Sequence, residues 1–183
     1  MPMKKCISIL AFFIVIFFSC GRNDSKIEYE HFLNSRISFP FRKMYNEKQM
    51  CEFKNNVWLV SIYDEYDCQD CVMKKIGLES IEMISRSYSV DFIYIFREKN
   101  AVKIYNRVID AGVNGAIFVD TCNAFMKANP KFPSNKLFHT FVVNNEGKVL
   151  MVGNPFQNEK METLFKKVIA REKKRKSNTS CKL

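Results

Sequence analysis

The sequence lacks several patterns on which common functions depend. It has only six glycines among its 183 residues, and it contains no glycine-rich loop of the kind that binds phosphate. It has one Cys-x-x-Cys motif, no second one and no His-x-x-x-His pair, so two ligands of a structural zinc site are missing. It has no internal repeat, and the apolar run over residues 7–18 is shorter than the about 20 residues that span a bilayer. Phosphate-loop nucleotide binding, structural zinc and a repeat architecture are therefore not indicated.

The amino-terminal segment has the pattern of a targeting signal. Two lysines precede the short apolar run, which leads to Ser19 and Cys20. A small residue directly before a cysteine resembles a bacterial lipoprotein signal, in which Cys20 would be the lipidated first residue. An ordinary signal peptide with an incidental cysteine is the alternative. Both interpretations predict export to a compartment where disulfides persist. We expect a signal peptide over residues 1–19, then the lipidated cysteine and a polar tether over 20–34.

The Cys-x-x-Cys motif lies where a strand passes into a helix. Residues 57–63 are apolar and aromatic, as in a strand buried on both faces, and helical spacing begins after Cys71. A helix amino terminus favours the thiolate, which is the nucleophile in disulfide exchange. This setting favours a redox pair, Cys68 and Cys71, over half of a zinc site or an inert structural disulfide.

Acidic residues crowd the same stretch. Nearby negative charge disfavours a thiolate, so we expect Cys68 to be less acidic than a cysteine flanked by cations. The four residues concerned are Asp64, Glu65, Asp67 and Asp70.

Apolar periodicity predicts alternating strands and helices, which is an α/β fold that closes with an antiparallel hairpin. The predicted strands span 57–63, 90–96, 115–119, 138–143 and 148–152, and the predicted helices span 69–88, 99–111 and 157–172. Residues 121–136 are expected to form a short helix and a loop. A short edge strand is expected near Ile37, because apolar and polar residues alternate there until Pro40 interrupts them.

This order, with a Cys-x-x-Cys opening the first main helix, resembles the thioredoxin superfamily, and most of all the TlpA/ResA-type envelope lipoproteins. The stretch 139–149 is similar to a hairpin pattern of that family. The resemblance covers residues 35–170 and implies a thioredoxin-like domain, with a central mixed sheet of about four to six strands flanked by helices. It implies thiol–disulfide exchange, with Cys68 attacking and Cys71 resolving. It also implies a monomer without a cofactor, whose partners are protein thiols or disulfides and a redox partner protein.

Two residues depart from the family pattern. Asp67 stands where an aromatic residue usually precedes the first cysteine, and His139 stands where a cis-proline usually faces the Cys-x-x-Cys motif. A cis bond before a residue other than proline costs about 2.5–4 kcal/mol, so we expect a trans bond and a reshaped substrate groove at His139 and Thr140.

The histidine opens a second interpretation. The two thiolates and the imidazole of Cys68, Cys71 and His139 resemble the metal site of Sco-type copper chaperones. The cysteines of those proteins are spaced Cys-x-x-x-Cys, whereas this chain has Cys-x-x-Cys. Such a ligand set would suit Cu(I) or Zn(II). Alternatively, His139 only fills the space of the proline. A third interpretation is a degenerate thioredoxin fold that serves as a binding module.

The net charge of +10 does not indicate a nucleic-acid-binding protein, because it is concentrated outside the predicted domain. The signal lysines carry two charges, and the tail over 171–183 carries a net five. That tail is expected to be solvated, with anionic lipid beside the anchor as the functional alternative. Cys51 is expected to be a packed thiol and Cys122 a packed or free thiol, and a regulatory pairing of Cys122 with Cys71 stays open. The predicted location is the bacterial cell envelope on the periplasmic side, at the inner or the outer membrane.

Overall fold

The structure is a computed structural model that describes residues 24–44, 53, 55–67, 87–111 and 115–180. The predicted signal peptide lies outside the described residues, and so do Cys20, Cys51, Cys68 and Cys71. Of the helix predicted to follow the Cys-x-x-Cys motif, only residues 87 and 88 are described, and both are helical.

Five strands form one mixed sheet. They are β1 (Val57–Asp64), β2 (Asp91–Arg97), β3 (Ala116–Val119), β4 (Thr140–Asn144) and β5 (Val149–Val152). Their order is β3-β2-β1-β4-β5, with β1, β2 and β3 parallel and the β4–β5 hairpin antiparallel beside β1. The predicted α/β class and all five strands are confirmed, and β1 is the central strand. Its position explains its unbroken apolar sequence, because both of its faces and both of its edges are covered.

Four helices flank the sheet among the described residues. They are α1 (residues 24–33), α2 (Ala101–Asp110), α3 (Ala124–Ala128) and α4 (Glu159–Ser180). Short 3-10 turns cover Phe41–Lys43 and Lys136–Phe138. No described helix combines the length and the apolar composition that crossing a membrane requires.

Each face of the sheet has its own buried core. Val57 and Leu59 of β1 pack on one face, with apolar side chains of α2 and α4. Trp58 and Val60 pack on the other, where Phe32 of α1 belongs to a largely aromatic cluster. This alternation along β1 follows from the two-residue period of a strand.

The predicted tether contains a helix instead. Residues 24–33 form α1, and Phe32 is only 2% exposed and lies 5.2 Å from the rings of both Phe132 and Phe141. The polar composition of this segment concealed one apolar face, which tertiary packing then stabilises as a helix. The described part of the domain therefore begins before residue 35.

Two other elements differ from prediction. No strand forms near Ile37; the segment makes one isolated bridge, Arg36 to Lys148, and then the 3-10 turn, because Pro40 cannot donate a ladder hydrogen bond. The last helix, predicted to end at 172, continues to Ser180. Its extension is stabilised by Arg175, which donates to Glu172 and to Glu146 of the hairpin turn.

Candidate functional site at the carboxyl end of the central strand

A tight turn joins β1 to the residue that precedes Cys68. The backbone N–H of Asp67 donates to the Asp64 carbonyl at 2.9 Å, and the backbone N–H of Asp64 donates to Asp67 Oδ2 at 2.7 Å. A short acidic side chain that accepts from a nearby backbone amide is a common way to fix a turn. In the sequence, Cys68 follows this fixed residue directly.

Lys136 neutralises Asp67. Its Nζ donates to Asp67 Oδ1 at 2.6 Å, so both carboxylate oxygens of Asp67 are engaged. Burial raises the pKa of Asp67, but the hydrogen bonds from Lys136 and the Asp64 amide, with the positive charge of Lys136, hold that pKa below its usual value. The same hydrogen bond raises the pKa of Lys136. Both groups are therefore charged at neutral pH.

A second cation neutralises Asp64. Arg97, the last residue of β2, donates Nη1–H to Asp64 Oδ1 at 2.5 Å, and its Nε–H donates to Asn123 Oδ1 at 3.2 Å. The sequence shows acidic residues crowding the approach to Cys68, and the structure gives a cation to two of them, Asp64 and Asp67. The expected effect on the pKa of Cys68 stays a prediction, because Cys68 lies outside the described residues. Asp70 lies outside the described residues.

His139 is a packed residue at the start of β4. It is 7% exposed, its ring lies 5.2 Å from the ring of Phe132, and its Nε2 is 3.1 Å from the Pro133 carbonyl. A carbonyl only accepts, so Nε2 carries the proton. The His139 carbonyl accepts from the Ile62 amide at 2.9 Å, which ties the segment to β1. These contacts favour the interpretation that His139 fills the space of the proline.

The peptide bond before His139 is trans, as predicted, since no cis bond occurs within the described residues. Thr140 follows on β4 and lies opposite Ser61 of β1, with 3.2 Å between the two hydroxyl oxygens. The sheet therefore places both predicted groove residues, His139 and Thr140, beside the carboxyl half of β1. Whether they face Cys68 and Cys71 is not tested, because the cysteines lie outside the described residues.

Buried tyrosines lie behind this edge of the sheet. Burial raises the pKa of Tyr63 and of Tyr94. The Tyr94 hydroxyl is buried without a hydrogen-bond partner within the part of the chain that the structure describes. Burial that raises a phenol pKa indicates a poorly solvated region, in which charges act more strongly than in water.

The loop that carries Lys136 and His139 is held by α1. Glu28 of α1 accepts from the Ser134 amide at 2.9 Å, and the rings of Tyr29 and Phe138 lie 5.9 Å apart. Sequence reasoning missed this role, because it assigned these residues to a tether. It also missed Lys136, and no motif marks that lysine; only its distance from Asp67 in the folded chain does.

A surface pocket of about 400 Å³ opens at the carboxyl ends of β1, β2 and β3. Asp64, Tyr66, Arg97 and Cys122 are among the residues that line it. Cys122 is an exposed free thiol, and its Sγ donates to the Lys43 carbonyl at 3.5 Å. Of the two expectations for this residue, free rather than packed is the one confirmed.

The described residues do not contain a candidate metal site. Within residues 24–44, 53, 55–67, 87–111 and 115–180, no three His, Cys, Asp or Glu side chains are grouped to hold a metal ion. The set Cys68, Cys71 and His139 is not tested by this, because its cysteines lie outside those ranges. The hydrogen bond from His139 to Pro133 leaves Nδ1 as the ring atom that could ligate.

Comparison with solved structures identifies the fold. A C-terminal domain from Bacteroides thetaiotaomicron assigned as a thiol-disulfide oxidoreductase superposes with a TM-score of 0.54 at 11% identity, over 75% of this chain and 97% of that one. A protein from Chlorobium tepidum assigned as the thiol:disulfide interchange protein DsbE gives 0.53 at 8% identity, over 74% and 99%. The chain has a thioredoxin-like fold. No protein-family model and no curated protein matches the sequence.

The thioredoxin-like fold that the sequence resemblance implied is confirmed. It covers the sheet, the order of its strands and the closing hairpin. At identities of 8% and 11% the likeness establishes the fold alone, so the chemistry rests on the residues of this chain.

Proposed function

We propose that this protein is a thiol–disulfide oxidoreductase that exchanges disulfides with protein partners through Cys68 and Cys71. One observation carries the proposal. The Cys-x-x-Cys motif begins directly after the turn that ends β1, the central strand of a thioredoxin-like sheet, and this turn is fixed at Asp67. The two solved structures cited above share the fold and are assigned to the same activity, which supports the proposal.

The reaction needs only the two thiols and a partner disulfide. The Cys68 thiolate attacks one sulfur of the partner disulfide, a mixed disulfide forms, and the other partner sulfur leaves as a thiolate. Cys71 then loses its proton and attacks the Cys68 sulfur, which releases the second partner sulfur. The partner is reduced by two electrons and the Cys68–Cys71 pair is oxidised. The same steps in reverse oxidise a partner dithiol.

The proposed location is the bacterial cell envelope, with a lipid on Cys20 as the anchor. The apolar run, Ser19 and Cys20 support it. We expect Cys20→Ser to move the full-length protein from the membrane fraction to the soluble fraction and to abolish incorporation of labelled fatty acid. Membrane association and labelling that survive this substitution would reject the anchor without affecting the proposed redox chemistry.

The redox proposal is tested by titrating the full-length protein, kept in mild detergent, through a series of dithiothreitol redox buffers. Alkylation followed by trypsin reports both thiols in the single peptide 55–74. We expect a reversible midpoint between about −270 and −120 mV, the range of known exchange proteins. Cys68→Ser should abolish exchange, and Cys122→Ser should leave the midpoint unchanged, because it removes an exposed thiol outside the pair.

Other outcomes separate the alternatives. A midpoint below about −300 mV would identify a structural disulfide and reject the proposal. Full biological function in a Cys68→Ser/Cys71→Ser double variant would identify a binding module. Stoichiometric copper or zinc that is lost in His139→Ala would identify a metal chaperone.

A further inference from the structure

The ion pair between Asp67 and Lys136 involves the residue that directly precedes the proposed nucleophile in the chain. Cα atoms of consecutive residues are about 3.8 Å apart. We therefore expect an uncompensated charge at Asp67 to disfavour the Cys68 thiolate. Lys136 approaches from a segment 69 residues away in sequence and places its ammonium 2.6 Å from the carboxylate.

The position of Lys136 is set by the fold. It opens the 3-10 turn Lys136–Phe138, which is capped by Asn135, whose Oδ1 accepts from the Leu137 amide at 3.1 Å. The Lys136 carbonyl accepts from the His139 amide at 3.1 Å. The turn that starts β4 and the turn that ends β1 are therefore joined by one charged hydrogen bond.

We propose that Lys136 is a positioning residue for disulfide exchange: it neutralises Asp67 and holds it against the Asp64 amide, so that the charge beside Cys68 permits the thiolate at neutral pH. This inference rests on the proposed function, since it assigns Cys68 as the attacking thiol. Lys136 compensates for the acidic residue, Asp67, that directly precedes Cys68 in the chain.

The net charge around Asp67 depends on the charged groups of two ion pairs. Asp67 faces Lys136, Asp64 and His139, and Asp64 is itself paired with Arg97. With both ion pairs formed, these two carboxylates and two cations sum to zero. Removing Lys136 alone leaves one net negative charge on these four groups, and removing the Asp67 charge alone leaves one net positive charge.

The experiment uses these opposite signs. Lys136→Met and Asp67→Asn break the same ion pair but leave opposite charges. If the pair acted only as a clamp, both variants would change Cys68 reactivity in the same direction. If it acts through charge, the two variants shift the reactivity in opposite directions, and the double variant returns towards wild type.

The measurement is the rate of alkylation of Cys68 by iodoacetamide, a neutral reagent, as a function of pH. The full-length protein carries Cys71→Ser, so that Cys68 is the only cysteine in tryptic peptide 55–74. We expect Lys136→Met to move the midpoint of the profile up by about 0.5–1 pH unit and Asp67→Asn to move it down by a similar amount. At pH 7 the rates should change by about two- to fourfold.

Two controls complete the design. Lys131→Met removes a lysine of the same loop that makes no contact with Asp67 in the structure, and it should leave the profile unchanged. Lys136→Arg keeps the charge and should retain the wild-type midpoint. Shifts of the same sign in Lys136→Met and Asp67→Asn, or no shift in either, would overturn the inference.

The two proposals fail in distinguishable ways. Alkylation reports the Cys68 thiolate whether or not the protein exchanges disulfides. Opposite shifts without a redox midpoint in the exchange range would uphold the charge effect and reject the oxidoreductase. A redox midpoint in the exchange range without opposite shifts in Cys68 alkylation would uphold the oxidoreductase and reject the charge effect.

Discussion

A polar contact at the amino end of β1 is buried, whereas one at its carboxyl end is partly exposed. Asn144, the partner of Val57, is 1% exposed; its Nδ2–H donates to Glu172 at 3.2 Å, and its Oδ1 accepts from two amides of the β4–β5 turn. At the other end, the Lys136 side chain is 57% exposed and that of Asp67 is 22% exposed. Both contacts satisfy their polar groups, but the one at the carboxyl end is open to solvent and to a partner.

The difference separates stability from chemistry. A buried hydrogen bond is costly to lose, because the remaining group is left without water. An exposed ion pair contributes little to stability, since water replaces it at small cost, yet its charge still acts on a neighbouring thiol. We therefore expect substitutions at the amino end to change the free energy of unfolding, and substitutions at the carboxyl end to change Cys68 reactivity. The four predictions below test this division, from the largest expected effect to the smallest.

Gly147→Ala, at the amino end, should give the largest loss. Gly147 has φ of +81°, and a Cβ there would lie 2.3 Å from the carbonyl oxygen of Ile37. We expect the variant to lose about 2–4 kcal/mol of unfolding free energy, measured by urea denaturation. Gly147→Asn is the control, because asparagine tolerates a positive φ but still carries the Cβ. Equal losses in both variants would identify the clash with Ile37 as the cause, and full stability in both would contradict the structure of the turn.

Glu172→Ala should cost about 2 kcal/mol, because the buried side chain of Asn144 loses its acceptor. Glu172→Gln keeps a side-chain oxygen near Asn144 and should lose roughly half as much. The measurement is again urea denaturation. A change below about 0.5 kcal/mol in Glu172→Ala would remove the contrast between the two ends, since the amino end would then behave as an exposed surface.

Arg97→Met probes the more buried of the two ion pairs at the carboxyl end. The side chain of Asp64 is 17% exposed and would lose its cation, which should cost about 1–2 kcal/mol. Lys103→Met, which removes a half-exposed lysine whose Nζ lies 3.9 Å from Glu98, should have little measurable effect. If Arg97→Met matched Gly147→Ala in its effect, the carboxyl end would contribute to stability as much as the amino end.

Breaking the ion pair of Lys136 and Asp67 should give the smallest loss of stability, and this loss should depend on pH. The pKa of Asp67 lies below its ordinary value of 3.8, so its contribution is present above about pH 4 and is lost as the pH falls through the folded pKa. The pKa of Lys136 is raised above 10.5, so its contribution is present below that pH and is lost as the pH rises through the folded pKa. We expect Tm of Asp67→Asn within about 3 °C of wild type at pH 7. The difference should shrink as the pH falls below 3.8 and through the folded pKa of Asp67, and a difference that stays constant over this fall would mean that the carboxylate is not ion-paired.

Sequence reasoning predicted the sheet well. Each strand has a local signature: β1 is apolar throughout, and the hairpin of β4 and β5 has Gly147 in its turn, where a positive φ is needed. Such signals depend on neighbours in sequence, so they can be recognised without the fold. The helix α1 has a weaker signature, because a single buried aromatic, Phe32, fixes it through contacts about 100 residues away.

The electrostatics of the site could not be predicted in the same way. The sequence shows acidic residues close to Cys68, and from that alone an unfavourable environment for a thiolate was the reasonable expectation. The compensating cations come from other elements: Arg97 from the end of β2, and Lys136 from the loop before β4. Sequence distance says nothing about which cation pairs with which acid.

The sequence by itself determined the α/β class, the succession of strands and helices along the chain, and the place of the Cys-x-x-Cys motif after the first strand, because apolar periodicity and turn residues act locally. Only the tertiary structure decided that α1 is part of the domain, that His139 is packed, and that Asp64 and Asp67 are neutralised. Those outcomes depend on contacts between segments far apart in the chain, which form only when the sheet brings the loops at its carboxyl edge together.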